Sequence, residues 1–404
     1  MNVRILPSVP AGKAMTPASK SDAHRHLLAS ALADGVTELS SMPDCEDVRA
    51  TEDVLWALGA KTERRGECVC ISPAGRERQT GAVLLPCRES AATARMAVPL
   101  ALLRYPSVIL HRAPSLANRP FETFISMFSR QDVKISENGN DLQISGELAP
   151  GRFCDLGSVS SQFASGLLFA LPYLESDSTI ETEGLVSRGY FLWTLDVLSR
   201  FGVEYFKSGD SFKIPGRQIF RAGSYQIRPD ATAAAYLAAL SKDGTVIPSG
   251  PLSSIQPDSV YPSLFSRIRT EKMPKIDVFE TPDLAPALIS LACRLHGAVL
   301  TGTGRLQTKE SSRGQAMAEE LRKCGVELIC EEDRIIIPPT GPKAPRTKIS
   351  AHGDHRIAMA MAGVLADVGG VLEGAECVGK SFSAFWQTSS SVGLHIITEK
   401  EETL

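Results

Sequence analysis

The chain has 404 residues, 43% of them apolar and 22% charged, with a formal net charge of −3. That length exceeds one ordinary core and predicts a soluble globular protein of two or three domains. The slight acidity argues against nucleic-acid binding, and no apolar run approaches the roughly 20 residues of a membrane helix.

Any anion site must therefore be a local concentration of Lys and Arg. The opening "MNVRILPSVPAGKAM" lacks the apolar core of a signal peptide. Nine scattered cysteines, an odd number, predict reduced thiols and a cytoplasmic protein.

In chain order, "TPASKSDAHRHLLASALADG" places Lys20, Ser21 and Arg25 at a helix entrance, suited to a phosphate or carboxylate or simply a capped helix with surface charge. "TEDVLWALGAKTERRGECVCI" reads as an amphipathic helix, a capping glycine, then strand, turn and strand. Its "CVC" puts Cys68 and Cys70 on one strand face, where burial is a better reading than metal. "CRESAATAR" follows the strand-like "GAVLL"; Arg88 and Arg95 bracket small residues without the glycines of a phosphate-cradling turn. It is either such a loop without glycines or a helix start. Arg119 follows in "LHRAPSLANRPFETF".

"GSVSSQFASGLL" sets Ser160, Ser161 and Gln162 before an apolar helix, fitting sugar hydroxyls, a phosphate, or plain N-capping. "TPDLAPALISLA" puts Asp283 at a helix head, as a cap or a carboxylate aimed into a cleft. "GRLQTKESSRGQAMAEELRKCG" aligns Lys309 and Arg313 one turn apart with Glu310 between them, a proton-transfer candidate or a solvated ion-pair face. "HGDHRIAMAMAGVLA" delivers Asp354, His355 and Arg356 to an apolar helix. Capping by Asp354 with an anion-facing Arg356 is more economical there than a metal held by His352 and His355. "CVGKSFSAFW" offers Lys380. Neither a Walker or dinucleotide loop nor a G-x-S-x-G elbow occurs.

The helix–glycine–hairpin unit recurs as "LWTLDVLSRFGVEYFKSGDSFKI" and "AMAEELRKCGVELICEEDRIII", with caps at Gly59, Gly202 and Gly325. A weaker copy, "FETFISMFSRQDVKISENGNDLQI", has Gln131 at the cap, and Gly393 is a further candidate. The long interval from Gly202 to Gly325 leaves room for another unit around "YPSLFSRIRTEKMPKIDV". Six units of about 67 residues predict repeated α/β modules, more plausibly in two closed bodies of three than in a solenoid.

"SKSDAHR", "CRESAATAR", "ANRP", "SVSSQF", "LVSRGY", "PDLAPAL", "KESSR", "DHRIAMA" and "GKSFSAFW" occur in an order that resembles the 5-enolpyruvylshikimate-3-phosphate synthases across nearly the whole chain. The resemblance implies an α/β, two-domain enolpyruvyl transferase-like fold of six βαβαββ repeats, three per domain. Crossings near "AGKAMTP" and "YQIRPDAT" would bound one domain at 15–227 and the other at 1–14 with 228–404. It implies transfer of the enolpyruvyl group of phosphoenolpyruvate to a hydroxyl of shikimate 3-phosphate by a monomer, with no metal or organic cofactor. Lys20, Ala91, Arg119, Gln162, Arg313, Arg356 and Lys380 would then meet phosphoenolpyruvate. Ser21, Arg25, Ser160, Ser161, Gln162, Ser187, Tyr190, Asp283 and Lys309 would meet shikimate 3-phosphate. Asp283, Glu310 and Lys20 would move protons.

The chain departs from the family's CGESGTTLR-like or GNAGTAMR-like loop. Arg88 stands for a glycine, Ala91 for the turn glycine beside phosphoenolpyruvate, and Ala92 for a threonine. Ser312 replaces a frequent aspartate and Pro229 a glycine. A methyl at 91 predicts weaker binding of longer phosphonates such as glyphosate. The same changes leave room for a paralogue with another acceptor, or for a non-catalytic anion-binding homologue.

Overall fold

A computed structural model describes residues 1–113, 116, 119–154, 156 and 159–399. Ala117 and Asn118 of "ANRP", and Gly157 and Ser158 before "VSSQF", lie outside the described residues. The chain divides into two compact units, Ala18–Arg228 and Met1–Pro17 with Pro229–Leu404.

The unit Ala18–Arg228 carries three four-stranded sheets of one topology. In the second, Ala82–Leu85 pairs parallel with Ser107–His111, which pairs antiparallel with Asp141–Glu147, itself flanked antiparallel by Asp132–Asn138. Arg152–Phe153, Ser178–Glu181, Ser211–Ile214 and Phe206–Ser208 repeat this order, with Ser208 opposite Ser211 across the "SGDS" turn. Ser224–Gln226, Thr37–Ser40, Cys68–Ser72 and Lys61–Arg65 do the same.

A parallel pair needs a crossover of a dozen residues or more. The helices Ala91–Leu102 and Gln162–Ala170 supply two of them, and both are buried on nearly every side. They pack on each other at Gly166, where a Cβ would stand 2.9 Å from the Arg95 carbonyl oxygen and 3.0 Å from Met96 Cα. A side chain there would push the two helices apart.

The other unit repeats the pattern in Lys275–Asp277, Ala298–Thr301, Arg334–Ile337 and Ile329–Cys330. Its next sheet takes Ile349–Ser350 and Gly370–Glu373 from the chain's end. The N-terminal strand Asn2–Leu6 then lies between Gly370–Glu373 and His395–Glu399. The sixth sheet is reduced to Gly12–Ala14 beside Val246–Pro248. After Val246–Pro248 the chain runs through the helix Tyr261–Thr270 directly into Lys275–Asp277 of the next sheet, without a hairpin. That omission accounts for the short spacing between Gly202 and Gly325. The core gathers the helices Ala285–Cys293 and His355–Val368, with Leu288, Ile289, Ile357, Met361 and Leu365 fully buried.

The repeated caps have one geometry. Gly59, Gly202, Gly325 and Gly393 have φ between +75° and +90°. Each donates its N–H to the carbonyl three residues back, and the next residue donates five back, as Ala60 does to Leu55 and Val203 to Leu198. This double bond closes the helix end in the left-handed conformation that glycine adopts most readily. The cysteine pair reads differently from expectation. Val69 and Ile71 fill the core, while Cys68 and Cys70 take the opposite, half-buried face.

Candidate active site

In the unit Ala18–Arg228, Lys20 opens the helix Lys20–Ser30, capped by the Ser19 hydroxyl. Its Nζ stands 2.8 Å from Asp47 Oδ2. Arg25 is 3% exposed and bonded through all three nitrogens: Nε donates to Thr194 Oγ1 at 2.9 Å, and the terminal nitrogens to the carbonyls of Ser21 at 2.7 Å and Tyr190 at 3.0 Å. Burial pulls its pKa down to about 10, against Asp22 and Tyr190. Arg25 therefore ties the Ser21 turn to the helix Arg188–Arg200, headed by Ser187 at φ +49°. The sequence separations are too large for any periodicity to reveal.

Ser160 Oγ accepts the Gln162 N–H at 3.3 Å. Gln162 Oε1 in turn accepts from Arg95 at 3.0 Å, and Arg95 also donates to the Pro120 carbonyl at 2.8 Å. Arg95 thus orients Gln162 and braces the turn after Arg119, whose own N–H is bonded to the Leu116 carbonyl. The sequence shows Arg95 closing the loop but gives it no site role.

The "CRESAATAR" stretch is a helix start. Ser90 caps Ala91–Leu102 through the Thr93 N–H, and Ala91 is buried. Arg88, at φ +48°, turns away and pairs with Glu46 and Asp53, both at 2.7 Å. The two bracketing arginines therefore do different work, and Arg88 is not an anion ligand in this arrangement.

In the other unit, one guanidinium gathers three carboxylates. Arg313, 1% exposed, bonds Asp354 through Nε at 2.9 Å, Asp283 at 2.7 Å and Glu310 at 2.5 Å. Asp283 also receives Arg356 at 2.8 Å and Lys309 at 3.3 Å. Asp354 caps the helix His355–Val368 through the Arg356 N–H at 2.9 Å and accepts the Ser311 hydroxyl at 3.0 Å.

Burial alone would raise the Asp283 carboxyl. Arg356, Lys309 and Arg313 outweigh it and hold it well below the usual carboxylate range. Burial also drives Lys309 down to about 8, with Asp283 opposing. For Arg356, burial works against the charge, but Asp283 and Tyr236 keep it firmly protonated. Its Nε is buried with no hydrogen-bond partner among the described residues. Asp283, Lys309, Glu310, Arg313 and Arg356 therefore form one cluster. Lys380 ends the short turn Ala375–Lys380, packed on the helix His355–Val368.

His352 joins Glu320 at 2.8 Å, with Glu319 at 4.0 Å. The second Glu320 oxygen takes Lys323 Nζ at 2.7 Å and the Ser350 N–H at 2.9 Å. These partners account for the group as an ion-pair cluster.

The family model described as EPSP synthase (3-phosphoshikimate 1-carboxyvinyltransferase) matches residues 10–388. The 3-phosphoshikimate 1-carboxyvinyltransferase of Clostridioides difficile is 33% identical over 97% of this chain and 97% of its own. That of Clostridium beijerinckii is 31% identical with the same coverages. The fold is similar to EPSP synthase from Acinetobacter baumannii, at 23% identity and TM-score 0.77 over 99% of this chain and 100% of the other. It is also similar to the enolpyruvyl transferase NikO from Streptomyces tendae, at 14% identity and TM-score 0.79 over 98% of each.

Proposed function

Because the chain belongs to the EPSP synthase family, we propose that it transfers the enolpyruvyl group of phosphoenolpyruvate to a hydroxyl of shikimate 3-phosphate and releases phosphate. The observation that carries this reading is the Asp283 carboxylate held among Arg313, Arg356 and Lys309, at 2.7, 2.8 and 3.3 Å. Such a cluster binds anions and keeps a proton acceptor beside them.

The reaction is an addition followed by an elimination. The acceptor hydroxyl oxygen bonds to C2 of phosphoenolpyruvate and loses its proton, while C3 gains one. The tetrahedral adduct then loses phosphate from C2 and a proton from C3. Asp283 is ionised and so in the right state to take a proton, but three cations make it a weak base. Phosphoenolpyruvate oxygens competing for Arg313 and Arg356 would draw those cations off Asp283 and Glu310 and raise their basicity when the substrate arrives. Arg356 Nε, without a partner among the described residues, is a donor in waiting for such an oxygen.

In this reading Lys20, Ala91, Arg119, Gln162, Arg313, Arg356 and Lys380 meet phosphoenolpyruvate. Ser21, Arg25, Ser160, Ser161, Gln162, Ser187, Tyr190, Asp283 and Lys309 meet shikimate 3-phosphate, and Asp283, Glu310 and Lys20 move protons. The enzyme works as a cytoplasmic monomer; none of the nine cysteines forms a disulfide among the described residues, as a reducing compartment favours.

The test is phosphate release that depends on shikimate 3-phosphate. Asp283→Ala and Glu310→Gln should each lower turnover by about 10²–10⁴-fold. Near-wild-type rates in both would remove the proton-transfer assignment. A second reading, transfer to a different acceptor, draws on Ala91 and Ala92 in the loop; a clear preference for shikimate 3-phosphate over other hydroxylated acceptors eliminates it.

A further inference from the structure

Four buried side chains in the unit Ala18–Arg228 form an unbroken hydrogen-bonded line that the site assignments leave unused. His24 Nδ1 lies 2.7 Å from Thr51 Oγ1, which lies 2.8 Å from Thr93 Oγ1, which lies 2.8 Å from Ser90 Oγ. None is more than 1% exposed. The line joins three helices and ends at the cap beside Ala91.

Counting protons gives it a direction. Thr93 donates its hydroxyl to Ser90 Oγ, which also accepts the Thr93 N–H at 3.3 Å. With its one proton used, Thr93 must accept from Thr51. The Asp47 carbonyl, at 3.4 Å, is the weaker alternative acceptor for the Thr51 hydroxyl. Thr51 must then accept from a protonated His24 Nδ1. That tautomer leaves Nε2 as a buried lone pair, and Nε2 has no partner among the described residues. The reverse direction would bury an unpaired N–H, the rarer defect in folded proteins. Burial, with Lys20 and Arg25 and against Asp47, drives His24 down to about 3, so the ring stays neutral. At the other end both Ser90 contacts are accepted ones. Its O–H has no protein acceptor among the described residues.

We propose that His24 is a positioning residue for phosphoenolpyruvate: its Nδ1 proton orients the Thr51 and Thr93 hydroxyls so that Ser90 keeps its O–H as a donor to an anionic oxygen of that substrate. The proposal rests on the enolpyruvyl-transfer reading, which places Ala91 beside phosphoenolpyruvate. Ser90 supplies a hydroxyl one residue before Ala91, while Ala92 lacks the family's threonine hydroxyl. Arg88 anchors the same turn from outside through Glu46 and Asp53.

The experiment pairs kinetics with spectroscopy on the full chain. Thr51→Val, which keeps the shape and breaks the line, should raise KM for phosphoenolpyruvate by about 3- to 10-fold, with kcat and KM for shikimate 3-phosphate nearly unchanged. Thr51→Ser, which restores the hydroxyl, should return KM to the wild-type range. Nitrogen-15 NMR of the wild-type protein, with His24→Asn to identify the signal, should show the proton on Nδ1. Equal KM values in the two Thr51 variants, or a proton on Nε2, would overturn the proposal. Wild-type protein that releases no phosphate overturns the enzyme reading instead, and the tautomer then judges the line without reference to turnover.

Discussion

Replacing Arg313 by methionine should remove the keystone of the carboxylate cluster while keeping most of the side-chain volume. Three carboxylates lose a partner at 2.5–2.9 Å from a guanidinium that is 1% exposed. Breaking one buried pair from one side costs about 3–5 kcal/mol. Asp283 retains Arg356 and Lys309, and Asp354 retains Ser311 and the Arg356 N–H, so the low end applies. We expect a loss of about 3 kcal/mol near neutral pH.

The pH dependence supplies a second signature. The folded Asp283 carboxyl lies below its ordinary value of 3.8, so its contribution is full above that value and disappears as pH falls through the folded one. The gap between wild type and Arg313→Met should therefore narrow in acid. Urea denaturation near neutral pH and again at about pH 3.5 would measure it. A neutral-pH gap below about 1 kcal/mol, or one that does not narrow, would refute the reasoning. Arg313→Lys, which keeps the charge but loses the fork, should fall between the two.

Gly166→Ala should cost about 1–3 kcal/mol, because the new methyl meets backbone rather than a movable side chain; denaturation midpoints within error of wild type would show that the helices can part. Arg88→Gly exchanges two exposed ion pairs for relief of a left-handed residue and should change stability by less than about 0.5 kcal/mol, as calorimetry can check. His24 is depressed to about 3 from an ordinary 6.5, so its neutral form contributes fully above 6.5 and loses ground as pH falls, by up to about 1.4 kcal/mol per pH unit. His24→Asn should flatten the decline in stability between about pH 6.5 and pH 5; an unaltered slope would mean that His24 titrates normally.

Local chemistry was legible in the sequence. Gly59, Gly202, Gly325 and Gly393 announce helix ends because a left-handed cap is a property of a few consecutive residues. Asp354 is readable as a cap for the same reason. What joins distant segments was not. Nothing near Lys20 indicates Asp47, nothing near Arg25 indicates Thr194, and the His24–Thr51–Thr93–Ser90 line uses three helices whose packing no single window encodes. Arg88 was open to misreading because charge beside small residues looks the same whether it meets a substrate or a neighbouring helix. Cys68 and Cys70 show a related limit. Alternation identifies the two faces of a strand, but which face turns inward depends on what packs against it.

The strand Asn2–Leu6 fills a gap between segments that lie some 370 residues later, with Asn2 opposite both Glu373 and Glu399. During synthesis it must wait, unpaired, until Gly370–Glu373 and His395–Glu399 emerge. By then the unit Ala18–Arg228 has emerged entire and is able to fold. The register also sets Asn2 beside Glu399. A rearranged gene that joins them through a short linker and opens the chain at Ala18 would encode both units as uninterrupted stretches, and would spare the first strand its wait.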